Sequence, residues 1–369
     1  MPETPEVAPA QALAFRVAGH HLHERTDPLT AVAACGLQEY PPGHAAVALH
    51  ARAGDVPDDD PVWSELMTVN AMRGSPYVVP RADVAIFTTA LVPEEDEDLR
   101  GLIGSAPAKE VEDAGYAVGE ALDLVATAAR EGLADGPLDR DAFHQALRER
   151  LPEGLLPWCR GCKSHHVRPG IWRALGPLGV TEMPEKAVWA LAGHGAPAGA
   201  GDAVGLPEAR AELVRRFLRA YGPGTHSQLA SWAQTSPAYA KRLFTAVQDE
   251  LAAVRLDGAK RFVLAADLDR LLDPPAARGV RLLHGYDPYV AQPDRATLVP
   301  DPALRKALFP AVGRPGIVLH DGRLAGLWRA RKKGRRLELA MEWTGDPVDL
   351  GDAPAVLARV RGCAQVTVA

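Results

Sequence analysis

Cysteine and long apolar runs are both scarce in this 369-residue sequence. Four cysteines are too few for a disulfide scaffold of this size, so we expect reduced thiols and a cytoplasmic protein. No apolar run approaches the ~18 residues that span a bilayer, so we expect no membrane partner. The first residues are acidic and Pro-rich and lack the basic start and apolar centre of a signal peptide. These absences favour an ordinary globular protein.

The charge balance is slightly acidic, with 41 Lys and Arg residues against 47 Asp and Glu residues and a net charge of −6. Taken whole, this balance disfavours a protein coated in nucleic acid. Net charge, however, averages over faces that can differ sharply in sign. The local distribution of the basic residues therefore decides whether the chain has a surface for a polyanion.

A winged helix is predicted between residues 212 and 272. Gly222-Pro223-Gly224 stops a first amphipathic helix, and Thr225 with Gln228 forms a capping box for a second. A third helix begins near residue 237. Two β-type runs follow it, joined by Asp257-Gly258, which is a strong hairpin signal. The order of three helices and a two-stranded wing is that of a winged helix.

Fainter versions of this order precede it, with helices predicted over 109–130 and 138–151. Beyond residue 280 the apolar period changes to two, which predicts strands over 280–283, 316–319, 324–328, 337–341 and 365–368. We therefore predict an α+β protein of tandem winged-helix units with a C-terminal β-rich unit. The predicted parts are a first winged-helix unit with the Gln38 segment (1–100), a second winged-helix-like unit (101–192), a linker (193–207), a third winged helix (208–275) and a β-rich unit with a basic hairpin (276–369).

A concentrated basic cluster lies in the last part. Six cations fall within eight residues around a hairpin tip at Gly334, namely Arg329, Arg331, Lys332, Lys333, Arg335 and Arg336. We expect them to contact DNA phosphates, while a solvated tip that protects a sheet edge stays open as the alternative. Trp328 beside them is a candidate to stack on or wedge against a base. Lys241 and Arg242 lie on the predicted recognition helix of the third winged helix.

Several segments together resemble the AlkZ-like family of tandem winged-helix DNA-binding proteins and DNA glycosylases. They are Leu-Leu-His-Gly-Tyr-Asp-Pro-Tyr at 282–289 with Asp294-Arg295, the strand-turn-strand at 318–329 around Asp321-Gly322-Arg323, the winged helix beginning Tyr221-Gly222-Pro223, and the wing-like Arg-Gly-Ser-Pro-Tyr-Val-Val-Pro at 73–80. The resemblance implies a monomeric bacterial DNA repair protein whose winged-helix units face double-stranded DNA across a concave cleft. Family members release bulky alkylated purines, and some confer resistance to DNA-alkylating antibiotics.

The family's catalytic signature is a Gln-hydrophobic-Gln or Gln-hydrophobic-Asp triplet, and the corresponding residues here are Gln38, Glu39 and Tyr40. Hydrolysis of an N-glycosidic bond passes through a cationic sugar, so a Gln carbonyl that holds water can assist it, by analogy with glycoside hydrolysis. Gln38 keeps that capability, and Glu39 offers a carboxylate. Tyr40 offers one hydroxyl where the family has Gln or Asp. Two interpretations stay open: a divergent DNA glycosylase (a hydrolase without a cofactor), or a non-catalytic DNA-binding or regulatory protein that lost the triplet.

The segment Cys159-Arg160-Gly161-Cys162 is followed by His165 and His166, which are the ligand types of a zinc site. Four ligands within eight residues crowd a tetrahedron, so we expect a plain hairpin that binds no metal. The family resemblance implies that His165 or His166 faces DNA or the cleft. A zinc site stays open as the alternative.

Overall fold

The computed structural model describes residues 4–57, 59–185, 187–193, 205–310 and 312–369. The described residues contain both helices and mainly antiparallel sheets, so the protein is α+β, as the sequence predicts. Most of the predicted linker, residues 194–204, lies outside the described residues. Within the described residues, every helix is too short or too polar to traverse a lipid bilayer.

The helices of the described residues are α1 (Pro9–Gly19), α2 (Pro28–Ala33), α3 (His44–Ala53), α4 (Val62–Glu65), α5 (Val84–Phe87), α6 (Asp96–Ile103), α7 (Ser105–Asp113), α8 (Val118–Gly132), α9 (Arg140–Arg150), α10 (Pro169–Ala174), α11 (Leu206–Tyr221), α12 (His226–Ala233), α13 (Pro237–Ala246), α14 (Leu268–Leu272), α15 (Arg295–Leu298), α16 (Pro302–Leu308) and α17 (Ala353–Val360). The strands are β1 (Glu6–Val7), β2 (Leu37–Gln38), β3 (Leu66–Asn70), β4 (Pro76–Pro80), β5 (Leu138–Asp139), β6 (Trp158–Cys159), β7 (Ser164–His165), β8 (Thr181–Glu185), β9 (Val188–Leu191), β10 (Leu251–Leu256), β11 (Ala259–Leu264), β12 (Val280–Leu283), β13 (Gly316–His320), β14 (Arg323–Lys333), β15 (Arg336–Trp343) and β16 (Gln365–Val368).

The chain forms two compact units, each built from segments that are not consecutive in sequence. Unit 1 contains the described residues of Met1–Leu66, Arg215–Gln228 and Val247–Ala369, and unit 2 contains those of Met67–Val214 and Leu229–Ala246. The five-part division predicted from the sequence stays a prediction. The two units are described separately below.

A five-stranded sheet with the order β12-β13-β14-β15-β16 dominates unit 1. Its neighbouring strands are antiparallel, except that β16 runs parallel to β15. All five strands were expected from the apolar period of two. Trp328, Leu339 and Leu357 are among the buried residues where α17 packs against this sheet. Burial alternates along β15, where Leu337 and Leu339 face the core, whereas β13 is buried on both faces.

The local signals of the predicted third winged helix are also confirmed. α11 ends at Tyr221, and the capping box then forms, since the backbone N–H of Thr225 donates to the Gln228 side chain at 3.0 Å and the Thr225 hydroxyl accepts from the Gln228 N–H. Leu256 pairs with Ala259 across β10 and β11. Asp257-Gly258 is therefore a two-residue turn, and both residues have positive φ, as a type I′ turn requires.

The core of unit 2 lies among α8, α9 and α10. Phe143 stacks on Trp189 with ring centroids 5.7 Å apart, and Trp172 meets Trp189 edge-on at 5.3 Å. The single helix expected over 109–130 is wrong, because Gly115 adopts a left-handed conformation (φ +89°) after α7, and α8 begins only at Val118. The strands of this unit follow the order β4-β3-β8-β9-β5, with β6 and β7 forming a separate hairpin.

A fully buried ion pair joins α3 to the loop after β12 in unit 1. Both guanidinium nitrogens of Arg52 donate to the Asp287 carboxylate at 2.8 Å, and the two side chains are 1% and 0% exposed. Arg52 also donates to the Ala48 carbonyl, and Asp287 accepts the backbone N–H of Tyr289. Such a pair holds its geometry because both carboxylate oxygens accept from Arg52 and further hydrogen bonds anchor each side chain.

We expect Asp287→Asn to lower the free energy of unfolding by about 3–5 kcal/mol, because it leaves the buried Arg52 charge without its counter-ion. Urea denaturation measures this loss. Arg359→Ala, which removes the half-exposed pair with Asp55 in the same unit, is the control and should cost less than about 1 kcal/mol. Equal losses in the two variants would contradict a special role for the buried pair.

Candidate functional site

The segment predicted to carry the chemistry joins β2 to α3. Gln38 ends β2, and its side chain is 3% exposed. The Tyr40–Pro41 peptide bond is cis, and Gly43 (φ +86°) then turns the chain into α3. A short strand, a fixed turn and a helix start thus hold the three residues of the predicted triplet in different surroundings.

Glu39 caps the N-terminus of α3. Its two carboxylate oxygens accept the backbone N–H groups of Gly43 at 2.5 Å and Ala45 at 2.9 Å. A carboxylate at this place satisfies two otherwise unpaired N–H groups and is also favoured by the helix dipole. Both oxygens are therefore occupied locally, and the structure gives Glu39 a structural role where the sequence suggested assistance to Gln38.

Tyr40 is 53% exposed and lies at the surface end of a cluster whose two histidines, His44 and His284, are buried. We use the term aromatic patch for Tyr40, His44, His284 and Tyr286, together with Arg314 and Arg361. Tyr40 meets the edge of Tyr286 at 6.2 Å, and Arg314 lies over the Tyr286 ring at 5.3 Å. The rings of His44 and His284 are 4.2 Å apart. The patch combines aromatic faces with two guanidinium groups.

The two histidines of the aromatic patch are held in the neutral form. Arg361 donates to His44 Nε2 at 2.8 Å, and the backbone N–H of Tyr286 donates to His284 Nδ1 at 3.1 Å. Burial lowers the pKa of His44 to about 2 and that of His284 to about 3, and the charge of Arg361 acts in the same direction. At neutral pH the positive charge of the patch therefore comes from its arginines alone.

Several residues of the aromatic patch were not predicted from the sequence as site residues. His44 follows the triplet by only four residues and could have been flagged by proximity. His284 and Tyr286 lie in the segment that supports the family resemblance, but nothing in the sequence pairs that segment with residue 44. Arg361 comes from the end of α17, and its contact with His44 depends on the tertiary fold.

The predicted basic hairpin is formed by β14 and β15, which meet around Gly334. All six cations are exposed. Arg329 donates to the Gly313 carbonyl, Lys332 donates to the Arg361 carbonyl, and Lys333 pairs with Glu338 at 2.8 Å. An open groove of about 460 Å³ beside the tip is lined by Lys333, Arg335, Arg336, Glu338, Ala364 and Gln365.

Trp328 does not lie on this exposed surface. Its side chain is 4% exposed, and the indole N–H donates to the Leu283 carbonyl at 3.0 Å. The expectation that Trp328 stacks on or wedges against a base therefore conflicts with the structure. The physical reason is that both faces of the sheet are covered at this point of β14: Leu327 packs in one hydrophobic cluster, and Trp328 packs in another with Leu339 and Leu357.

The remaining predicted DNA contacts lie in unit 2. Lys241 on α13 is exposed. Arg242 pairs with the buried carboxylate of Asp98 and lies over the Tyr239 ring at 5.4 Å. These contacts hold the Arg242 guanidinium against its own unit, so of the two residues Lys241 is the better candidate for a phosphate.

His165 and His166 lie at the β6–β7 hairpin and face different surroundings. His165 is exposed, bonds the Leu156 carbonyl through Nδ1 and packs edge-on against Trp158. His166 is 8% exposed, and its ring packs against His144 with centroids 5.6 Å apart. Of the two, His165 can reach an external partner. Cys159, Cys162 and His166 together are the group in the described residues whose ligand atoms converge as a metal site requires.

We expect acid to destabilise the protein through its buried histidines. An unfolded His takes up a proton as the pH falls through about 6.5, whereas His284 stays neutral in the fold until its pKa of about 3. Between pH 7 and pH 5 this difference removes about 2 kcal/mol of stability. His284→Gln should flatten the pH dependence of the unfolding midpoint over that range. The exposed His320→Gln should not, and a slope unchanged by His284→Gln would contradict the assignment.

Comparison with known proteins identifies the family. The model of the family described as DNA glycosylase AlkZ-like matches residues 31–366. An interstrand DNA cross-link repair glycosylase of Streptomyces sahachiroi is 34% identical over 128 residues, which is 33% of this chain and 34% of that protein. The alignment thus spans about a third of that relative's length. The solved structure of S. sahachiroi DNA glycosylase AlkZ matches with a TM-score of 0.73 over 99% of this chain and 100% of that chain, at 23% identity.

The last comparison shows a shared fold, and the family model extends over nearly the whole sequence. The resemblance noted in the segments at 73–80, 282–289 and 318–329 is therefore confirmed. This chain belongs to the AlkZ-like DNA glycosylase family.

Proposed function

We propose that this protein binds double-stranded DNA and releases bulky alkylated purines by hydrolysis of the N-glycosidic bond, with Gln38 as the principal catalytic residue. The observation that supports the proposal most is the family match over residues 31–366. This range includes Gln38, which corresponds in the sequence resemblance to the first Gln of the family's signature. It would act as a monomer on bacterial DNA, hence in the cytoplasm. Protection against a DNA-alkylating antibiotic is the biological role that fits this substrate.

For hydrolysis of this N-glycosidic bond, the protein mainly has to position a water molecule and stabilise the positive charge that develops on the sugar. The bond between C1′ and the purine nitrogen breaks with its electron pair going to the base, which leaves as a neutral molecule because alkylation has made it cationic. Water then adds to the cationic sugar at C1′ and loses a proton to solvent. The Gln38 carbonyl can accept a hydrogen bond from that water and stabilise the positive sugar. The Tyr40 hydroxyl can add one hydrogen bond from the third position of the triplet.

The aromatic patch has groups that can contact both a purine base and the DNA phosphates. Tyr40 is two residues beyond Gln38 and is exposed, and the Tyr286 ring lies beside it. Aromatic faces stack on bases of any sequence, and guanidinium groups such as that of Arg314 attract phosphate. The neutral forms of His44 and His284 leave this positive charge to the arginines, so it persists over the physiological pH range.

The basic hairpin is the proposed site for phosphate contacts. Arg331 and Arg335 are both exposed. The two backbone hydrogen bonds and the ion pair of the hairpin cations involve Arg329, Lys332 and Lys333 instead. A phosphate that each of them neutralised would release condensed counter-ions and add to the salt dependence of the affinity.

We expect Arg331→Ala/Arg335→Ala to weaken binding to undamaged duplex DNA and to reduce the slope of log K against log salt by about 2. Titrations at several salt concentrations measure both quantities. Lys109→Ala/Arg140→Ala removes the same charge from exposed positions in unit 2 and should leave the slope unchanged. If both double variants change the slope equally, the hairpin is not the contact surface.

A second candidate function is non-catalytic DNA binding or regulation. Two observations favour it: the Gln38 side chain is 3% exposed, and the Glu39 carboxylate is bound to α3. A protein of this kind would use the basic hairpin and the aromatic patch to hold DNA, with no bond broken. The two candidates differ in one measurable quantity, which is base release.

We expect the protein to release an N7-alkylguanine from a duplex, detected as a strand break after hot alkali. Gln38→Ala should slow release at least about 100-fold while duplex affinity is kept, because loss of a preorganised stabilising group costs about that much. Gln248→Ala, an exposed Gln of the same unit, is the matched control and should act like the wild type. The glycosylase proposal is contradicted if the wild type gives no strand break above the Gln38→Ala background with either a monoadduct or an interstrand cross-link as substrate. Non-catalytic DNA binding would then be the supported function.

A further inference from the structure

The β6–β7 hairpin of unit 2 places two cysteines on one short turn. Trp158 pairs with His165, and Cys159 pairs with Ser164. Between them the chain turns through Arg160-Gly161-Cys162-Lys163, where Lys163 has a positive φ of 52°. A Cys-x-x-Cys turn is the spacing with which structural zinc sites present two thiolates. Both cysteines are free thiols here.

A third ligand converges on the two thiols. The sulfurs of Cys159 and Cys162 and a ring nitrogen of His166 all lie within 4.8 Å of one another. In a tetrahedral zinc site the bond lengths place neighbouring ligand atoms about 3.6–3.8 Å apart. The group therefore has to close by about 1 Å at most to surround an ion.

The imidazole of His166 is arranged as a metal ligand. Its Nδ1 lies 2.8 Å from the Val167 carbonyl. A carbonyl only accepts, so Nδ1 carries the proton and Nε2 carries the lone pair. Nε2 is buried and has no hydrogen-bond partner of ordinary geometry within the described residues. Histidines that bind metals usually donate their other ring N–H to a carbonyl or carboxylate in this way, which fixes the tautomer.

His165 is the contrasting neighbour. It is exposed and packs against Trp158, so it takes no part in the convergence. The expectation that this hairpin binds no metal rested on four ligands crowded into eight residues. The structure brings together only three of them, and a water molecule can complete the tetrahedron. The crowding argument therefore does not apply.

We propose that Cys159, Cys162 and His166 bind one Zn²⁺ ion, with water as the fourth ligand, and that the ion stabilises the β6–β7 hairpin. Each strand of this hairpin has two residues, and Trp158 is 51% exposed. Isolated two-stranded hairpins are at best marginally stable in water, and this one is shorter than most. An ion bound by Cys159, Cys162 and His166 would connect the end of β6, the turn and the residue after β7, and this cross-link would stabilise the hairpin. Binding releases the thiol protons.

The test uses the full chain purified without a His tag. We expect about one zinc per chain by elemental analysis, and on replacement by Co²⁺ we expect the thiolate-to-metal absorption and the strong visible bands of a tetrahedral site. Cys159→Ser and His166→Ala should hold less than ~0.2 metal per chain. His165→Ala, which changes the adjacent His of the same hairpin, is the matched control and should keep the metal.

Three outcomes would overturn the proposal. They are wild-type protein that stays below ~0.2 metal per chain after dialysis against Zn²⁺, equal metal content in His166→Ala and His165→Ala, or a Cys159–Cys162 disulfide revealed by a mass lower by two hydrogens. If the ligand variants fail to fold, reversible removal by a chelator is decisive on the wild type. Hydrogen exchange at 158–165 should then increase without metal and recover when Zn²⁺ returns, whereas exchange indifferent to metal contradicts the site.

Discussion

The buried pair of Arg52 with Asp287 is the interaction on which the candidate site in unit 1 depends. Arg52 lies on α3, which begins directly after the predicted triplet, and Asp287 lies in the loop after β12. Because both side chains are excluded from water, the free-energy cost of separating them is large. The pair therefore holds the loop against α3. His284 and Tyr286 belong to that loop, so their contacts with His44 and Tyr40 are set by the same pair.

A second buried arginine extends this arrangement. Arg16 on α1 donates to Asp294, to the Gln292 side chain and to the Gly222 carbonyl. Asp287, which begins the Asp-Pro-Tyr segment, and Asp294, which follows that segment, are therefore both partners of buried arginines. Both aspartates therefore stabilise the fold of unit 1, and their presence is evidence about the fold. The catalytic role proposed for Gln38 is a separate claim that these ion pairs do not support.

Local signals predicted much of the fold, and non-local contacts account for most of what they missed. The Asp257-Gly258 turn, the capping box at Thr225 and the C-terminal strands each depend on a few neighbouring residues, and all are present. Trp328 conflicts with its predicted role because the core that covers it includes Leu357, a residue distant in sequence. The capping contacts of Glu39 with Gly43 and Ala45 were not anticipated, because a carboxylate that caps a helix resembles a free carboxylate in sequence. The contact of His44 with Arg361 joins residues far apart, and no local pattern specifies it.

The internal contacts of the basic hairpin do not weaken its case as a surface for a polyanion. Arg329 and Lys332 donate to backbone carbonyls, which orient the cations but carry no formal charge. One carboxylate, that of Glu338, lies close to this cluster: it pairs with Lys333, and the charges of Arg331 and Arg336 also lower its pKa. Each carbonyl contact also fixes a flexible side chain before DNA arrives, which lowers the ordering cost of binding. A net charge of −6 for the whole chain is therefore compatible with a hairpin tip that is strongly positive and partly preorganised.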